Sequence, residues 1–173
     1  MNKKTDTIRI AGLVRESIVD GPGIRFVVFA QGCPHKCRGC HNESTFDFSG
    51  GREYKTENII AKIKANPLLS GVTFSGGEPF CQPEGFCNLA VRLKKLNIHI
   101  LAFTGYTYEE LTGLSKTNEN IKRLLDHIDI LIDGRFILEK RDLSLQFKGS
   151  SNQRYIDMNA VRETGKLAVL NFL

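Results

Sequence analysis

The chain reads as an α/β protein, a partial (open) α/β barrel of parallel strands or a curved open sheet. Three observations predict this. Short β-branched and aromatic runs alternate with amphipathic stretches, the pattern of strand, crossover and parallel strand. The 173 residues fall short of the roughly 250 that a complete eight-stranded α/β barrel uses. Finally, the residues that carry chemistry fall just after predicted strands, at the carboxyl ends that share one face of a parallel sheet. No repeat, low-complexity tract or break in composition divides the chain, so residues 1–173 are expected to form a single domain.

The elements follow in order. Thr7–Val14 alternates apolar and polar residues and reads as a strand. Ile24–Ala30 is a β-branched and aromatic run that suits a buried strand. In KTENIIAKIKANP, Thr56 is a candidate N-cap, Ile59, Ile60 and Ile63 share one face, and Pro67 stands beyond the end, which predicts a helix. Gly71–Ser75 is a short strand. PEGFCNLAVRLKKLN is an amphipathic helix with Leu89, Leu93 and Leu96 on its buried side. A strand at Ile98–Phe103, two helical stretches at TYEELTGL and NENIKRLLDHI, and a strand at Asp129–Asp133 complete the alternation. After Arg135 the pattern weakens. Strand-like RYIDMN follows a loop at FKGSSNQ.

Composition narrows the class. Apolar residues at 41% and charged residues at 25% are ordinary for a water-facing globular protein. The net charge of +5 suits an acidic partner, but a solvated surface explains it more simply. MNKKTDTIRIAGLV holds no continuous apolar core of a signal peptide, and no run is long enough to span a bilayer. A cytoplasmic, reducing setting is therefore expected. There, five cysteines point to metal or redox work rather than to a disulfide framework.

Three of the five lie in QGCPHKCRGCHN, as Cys33-x3-Cys37-x2-Cys40. A closed zinc site needs a fourth ligand, and His41, adjoining Cys40, is awkwardly placed to be one. Cys81 could serve if the fold brought it near. An iron–sulfur cubane with three thiolates keeps one iron open, and an open position is what catalysis needs. The spacing favours the cluster over zinc. Gly39 lets the backbone approach a ligand closely. Lys36 and Arg38 are simplest as solvated cations. Cys81 and Cys87 read as half-buried thiols or helix-face residues, and His99 and His127 as structural.

The four predicted strand ends carry the cysteine loop, SGGEP (Ser75–Pro79), TGY (Thr104–Tyr106) and DGRF (Asp133–Phe136). Each alone could be an ordinary turn. Cys33-x3-Cys37-x2-Cys40 followed by Gly76-Gly77-Glu78-Pro79 resembles the radical S-adenosylmethionine (SAM) superfamily. VDGPGIRFVVFAQGCPHKCRGCHN resembles the opening of its glycyl-radical activating enzymes, and DLSLQFKGSSNQRYID resembles the closing segment of the activators of anaerobic ribonucleoside-triphosphate reductase. The likeness runs from about Asp20 to Asp157. The residue before the third cysteine, usually aromatic in the superfamily, is Gly39 here, as in the reductase activators.

The resemblance implies a radical SAM fold in which Cys33, Cys37 and Cys40 hold a [4Fe-4S] cluster whose fourth iron takes SAM. It implies a SAM site built from Gly39, Cys40, His41, Ser75, Gly76, Gly77, Glu78, Thr104 and Asp133, and no catalytic residue beyond the cluster and SAM. Its partners would be the large glycyl-radical subunit of anaerobic ribonucleotide reductase and a low-potential electron donor such as a flavodoxin. Arg25 is expected to face the partner or the cofactor, or else to form a salt bridge. Ser150, Ser151 and Asn152 would guide the partner's glycine loop or form a turn. No role falls to a membrane or to nucleic acid. Two rivals stand beside this reading: an activator of another glycyl-radical enzyme such as pyruvate formate-lyase, and a non-catalytic metal-bearing module that binds nucleic acid. The second lacks an interleaved aromatic and basic stripe.

Overall fold

The computed structural model describes residues 6–170. The first residues of the N-terminal stretch read above, 1–5, lie outside that range, as do 171–173. Eight strands and five helices follow one another as β1 (Thr7–Ser17), β2 (Arg25–Ala30), β3 (Arg52–Lys55), α1 (Thr56–Lys64), β4 (Gly71–Gly76), α2 (Pro83–Lys94), β5 (Ile100–Phe103), α3 (Tyr108–Ser115), α4 (Glu119–His127), β6 (Ile130–Asp133), β7 (Arg154–Asp157), α5 (Met158–Thr164) and β8 (Val169–Leu170). They form one sheet in the order β3-β1-β2-β4-β5-β6-β7-β8.

The centre of the sheet, β2-β4-β5-β6, is parallel, as the alternation predicts. The outer strands are not, and this corrects the expectation of a sheet of parallel strands. β1 pairs antiparallel with both β2 and β3, β7 with β6, and β8 with β7. The reason lies in the connections. Parallel neighbours need a crossover, usually helical, whereas a connection that stays at one end of the sheet returns antiparallel. The turn between β1 and β2 is short and holds Gly21 and Gly23 at positive φ. The segment between β6 and β7, residues 134–153, contains only a single 3₁₀ turn, so it too returns on the same side.

The helices all bury against one face of the sheet. Phe26, Val28, Val72, Phe74, Ile100, Ala102 and Leu131 point into that core, where they meet Ile59, Ile63, Phe86, Leu89, Leu93 and Leu124. Alternate residues point the other way, as the two-residue period of a strand requires. There Leu101, Ile132 and Tyr155 pack with Phe103, Ile130 and Phe147 under the 134–153 strap.

Local details depart from expectation in instructive ways. Lys55, not Thr56, caps α1, and the Thr56 hydroxyl instead bonds the Asp6 carboxylate. Leu89 and Leu93 are buried, but α2 ends at Lys94, so Leu96 is 40% exposed. RYIDMN divides at Asp157, whose carboxylate accepts from the Asn159 and Ala160 amides and so caps α5. Among the described residues, no helix is long and apolar enough to cross a membrane.

Candidate metal centre and the cavity around it

Strand register brings the key loops together. Ala30 at the end of β2 pairs with Gly76 at the end of β4. The chain continues from Ala30 into the cysteine loop and from Gly76 into Gly77-Glu78. Two backbone bonds lace them: the Gly77 amide donates to the Ala30 carbonyl at 2.8 Å, and the Glu78 amide to the Gly32 carbonyl at 2.8 Å. Only glycine fits here. A Cβ on Gly77 would lie 2.4 Å from the Gly32 carbonyl oxygen, and Gly76 has φ of 90°.

A cavity of about 680 Å³ opens where these loops meet. Its wall carries all three thiols of the loop, Cys33, Cys37 and Cys40, together with His41, Ser75, Gly76, Gly77 and Thr104. These eight expected contributors share one cavity wall. Not among the expected contributors are Ile18, Val19 and Asp20 from the β1–β2 turn, His35, Asn42 and Phe46 in and after the cysteine loop, Phe103, Gly105, Gly134 and Phe136 at strand ends, and Asp142, Leu143, Leu145, Phe147, Lys148, Gly149 and Gln153 of the strap. Ile18, Val19 and Leu143 are exposed apolar residues on that wall, a pattern that a period search cannot assign to any element.

Three predicted contributors stand back from the cavity. Gly39, at φ 74°, packs on Leu138. Asp133 is buried, held by the Arg154 guanidinium, and accepts from the Tyr108 amide at 2.7 Å, so it anchors α3. Glu78 is wholly buried. It accepts from the Phe80 amide at 3.1 Å, the Gly105 amide at 2.8 Å and the Thr104 hydroxyl at 2.9 and 3.0 Å, and lies 3.1 Å from His35 Nε2, which makes it a loop anchor.

The residues expected to face a partner are mostly turned inward. Arg25 sits at the opposite end of β2, 1% exposed, bonded to Thr73 Oγ1 at 3.0 Å and to the Val72 carbonyl. Ser150 is buried and its hydroxyl accepts from the Ile137 amide at 3.2 Å. Asn152 donates to the Arg135 carbonyl at 2.9 Å, while its Oδ1 is buried without a hydrogen-bond partner. Ser151 is the exposed member of the three.

The sulfur environment suits metal ligation. Burial pushes the Cys33 thiol up, opposed by the His35 and Lys36 amides, which donate to it. Burial likewise raises Cys40, opposed by the Asn42 amide, 3.4 Å from its sulfur. Amides aimed at sulfur favour the thiolate and would tune a bound cluster. Cys81 is different. Burial and then the nearby Glu78 push it up to about 11, and the Tyr106 hydroxyl donates to it. It is not on the cavity wall. Among the described residues no three metal-ligating side chains are gathered tightly enough for a single ion, but three thiols on the wall of one cavity are the donor type and number that a cluster with three protein ligands takes.

Comparison with known proteins points to a 4Fe-4S cluster. A family model described as a 4Fe-4S single cluster domain matches residues 19–156. The anaerobic ribonucleoside-triphosphate reductase-activating protein of Vibrio cholerae is 36% identical over 145 residues, 79% of this chain and 89% of that protein. Its counterpart from Haemophilus influenzae is 34% identical over 144 residues, again 79% and 89%. A pyruvate formate-lyase-activating enzyme from Clostridium pasteurianum is 37% identical over 127 residues, 70% of this chain but 53% of that enzyme. The chain belongs to the family of 4Fe-4S single-cluster proteins that includes the anaerobic ribonucleoside-triphosphate reductase-activating proteins.

Proposed function

We propose that this protein is a radical SAM activating enzyme whose substrate is a glycine of the large subunit of anaerobic ribonucleoside-triphosphate reductase. The observation that carries the reading is the convergence of Cys33, Cys37 and Cys40 with the bare backbone of Gly76 and Gly77 on one cavity at the carboxyl ends of parallel strands. Cys33, Cys37 and Cys40 would hold a [4Fe-4S] cluster. When bound, the cluster would supply the single electron that cleaves SAM at its sulfonium to methionine and an adenosyl fragment able to take a hydrogen atom from glycine. The protein's own part is positioning. Gly76 and Gly77 admit the amino-acid end of SAM close to main-chain polar groups. Phe103 and Phe136 line the cavity with aromatic surface for the adenine end. The exposed Ile18, Val19 and Leu143 border the same space and would receive the partner's glycine segment. The reductant is a low-potential donor such as a flavodoxin, in a reducing cytoplasm.

The one-sided placement of the helices and the sequential order β2-β4-β5-β6 support a partial barrel of the radical SAM type in a single domain. A doubly wound sheet would carry helices on both faces.

The test is anaerobic reconstitution with iron and sulfide, then reduction with and without SAM. Wild-type protein should form 5′-deoxyadenosine, and Cys37→Ala should form none. Cys81→Ser should keep both iron and product formation. If Cys81→Ser loses the cluster as completely as Cys37→Ala, the site is a closed four-thiolate one and the reading fails. Presenting the loaded protein with the reductase large subunit and with pyruvate formate-lyase separates the two activating roles by the glycyl radical signal.

A further inference from the structure

His35 stands between Cys33 and Cys37, and its ring does not face solvent. The side chain is 5% exposed. Its Nδ1 lies 3.2 Å from Arg135 Nε, and its Nε2 lies 3.1 Å from Glu78 Oε2. A guanidinium N–H can only donate, so Nδ1 is the acceptor. The ring proton then sits on Nε2 and is donated to Glu78. The ring is also wedged in place. A Cβ on Gly105 would come within 2.3 Å of it, and the Tyr106 ring meets it edge-on at 4.5 Å.

This makes a single hydrogen-bonded chain across all four parallel strand ends. His35 follows β2, Glu78 follows β4, Thr104 and Gly105 follow β5, and Arg135 follows β6. Glu78 is the residue next to Gly77, and His35 lies two residues from either of two thiols. The His35–Glu78 bond therefore ties the wall that would hold the cluster to the wall that would hold the amino-acid end of SAM. One wall would hold the cluster and the other the amino-acid end of SAM, and their spacing decides whether both are held at once.

We propose that His35 is a positioning residue that sets the spacing between the thiol loop and the Gly76–Gly77 backbone, and so the affinity of the loaded protein for SAM. The proposal rests on the function proposed above. It requires no titration of His35, only the donor on Nε2 and its fixed ring plane.

The experiment uses the full chain, reconstituted anaerobically with iron and sulfide and then reduced. Three quantities are read: iron per chain, the SAM concentration that half-saturates the change in the cluster's electron paramagnetic resonance spectrum, and the half-saturating SAM concentration for product formation. His35→Ala should keep its iron, because all three thiols remain, but need about tenfold more SAM in both titrations, the scale of one lost hydrogen bond to a buried carboxylate. His35→Gln offers an amide N–H to Glu78 and should return to within about threefold of wild type. A role only in fold stability would lower iron content and melting temperature without moving the SAM titration of the loaded fraction. The proposal is overturned if the His35→Ala titration superimposes on wild type, or if His35→Gln is no better than His35→Ala. Arg135→Gln tests the same link without touching the thiol loop and should raise the SAM requirement by about threefold. If His35→Ala takes up no iron and Arg135→Gln binds SAM as wild type does, the proposal is also overturned. If wild type itself shows no spectral response to SAM, the function fails rather than the role of His35.

Discussion

At the amino ends of the parallel strands, Arg25, His99 and Asp129 form a buried polar group; at the carboxyl ends, His35, Glu78 and Thr104 form another. Both are well bonded. At the lower end the Arg25 guanidinium reaches Thr73 Oγ1, the Val72 carbonyl and His99 Nδ1, and Asp129 accepts from Lys94 at 2.8 Å and from the Ile100 amide at 2.8 Å. At the upper end Glu78 collects four donors, one of them the Thr104 hydroxyl that bonds both its oxygens. What differs is what surrounds them. The lower group bonds to the strands, helices and loops packed around it and lines no part of the cavity. The upper group fixes loops whose thiols and glycine backbones remain turned to a cavity of about 680 Å³. Buried charge alone therefore does not mark a site; buried charge that holds thiols and bare glycine backbone around a cavity does.

The largest effect expected from this contrast is at the upper end. Gly77→Ala would place a Cβ 2.4 Å from the Gly32 carbonyl oxygen, against backbone that cannot rotate away. The glycine loop must shift, and a displacement of about 1 Å is enough to cost about 100-fold in turnover. We expect 5′-deoxyadenosine formation to fall by about that factor while far-ultraviolet circular dichroism stays unchanged. Gly12→Ala in β1 is the control. A Cβ there would meet no heavy atom within 4 Å, and activity should not change. Equal losses in both variants would mean that the close approach of Gly77 to the Gly32 carbonyl is not what holds the glycine loop in place.

The lower end also shows why part of the molecule is legible in the sequence and part is not. Three thiols in eight residues and a glycine pair at a strand end announce themselves by type and spacing, and eight of the predicted site residues share the cavity wall. Arg25 invites grouping with them because it is close in sequence. A six-residue strand at about 3.3 Å per residue places its two ends roughly 20 Å apart, so the turn before β2 and the loop after it serve different ends of the sheet. His35 is in plain view within the cysteine loop, but its meaning depends on Glu78, 43 residues on, and that contact exists only because β2 and β4 pair in parallel. The strand β3 escapes a sequence reading for a simpler reason. Its sequence REYK is polar and mostly exposed, so it carries no apolar alternation, and it forms by pairing with the edge of β1.

A second, smaller effect should appear at the lower end. Burial lowers the Arg25 guanidinium to about 10, with Asp129 opposing, yet the group stays charged at neutral pH. Arg25→Met removes the donors to Val72, Thr73 and His99 and leaves those acceptors buried. We expect a loss of about 3 kcal/mol in urea unfolding, within the range for breaking a buried charged network. Iron bound per folded chain and SAM affinity should match wild type. A loss of SAM affinity without a loss of stability would mean that Arg25 does face the cofactor, as its position in the sequence implies.

The smallest effect is a pH dependence that belongs to the lower end alone. His99 Nδ1 sits 3.2 Å from Arg25, whose N–H must donate, so the folded ring is neutral. Burial, and then the charges of Arg25 and Lys94, hold its pKa below the ordinary 6.5, while Asp129 pulls the other way. The unfolded chain therefore binds a proton near pH 6.5 that the native chain refuses, and the contribution is fully present above that value. As pH falls below 6.5, stability should decline until the native ring also protonates. His99→Gln keeps an acceptor for Arg25 but cannot take up a proton, so its unfolding free energy should fall less steeply between pH 6.5 and pH 5 than that of wild type. The SAM titration should be insensitive to this substitution at a fixed pH. If the slopes coincide, the ring takes up its proton equally in the folded and unfolded chains, and the Arg25–His99 contact cannot be the hydrogen bond that closes the lower end.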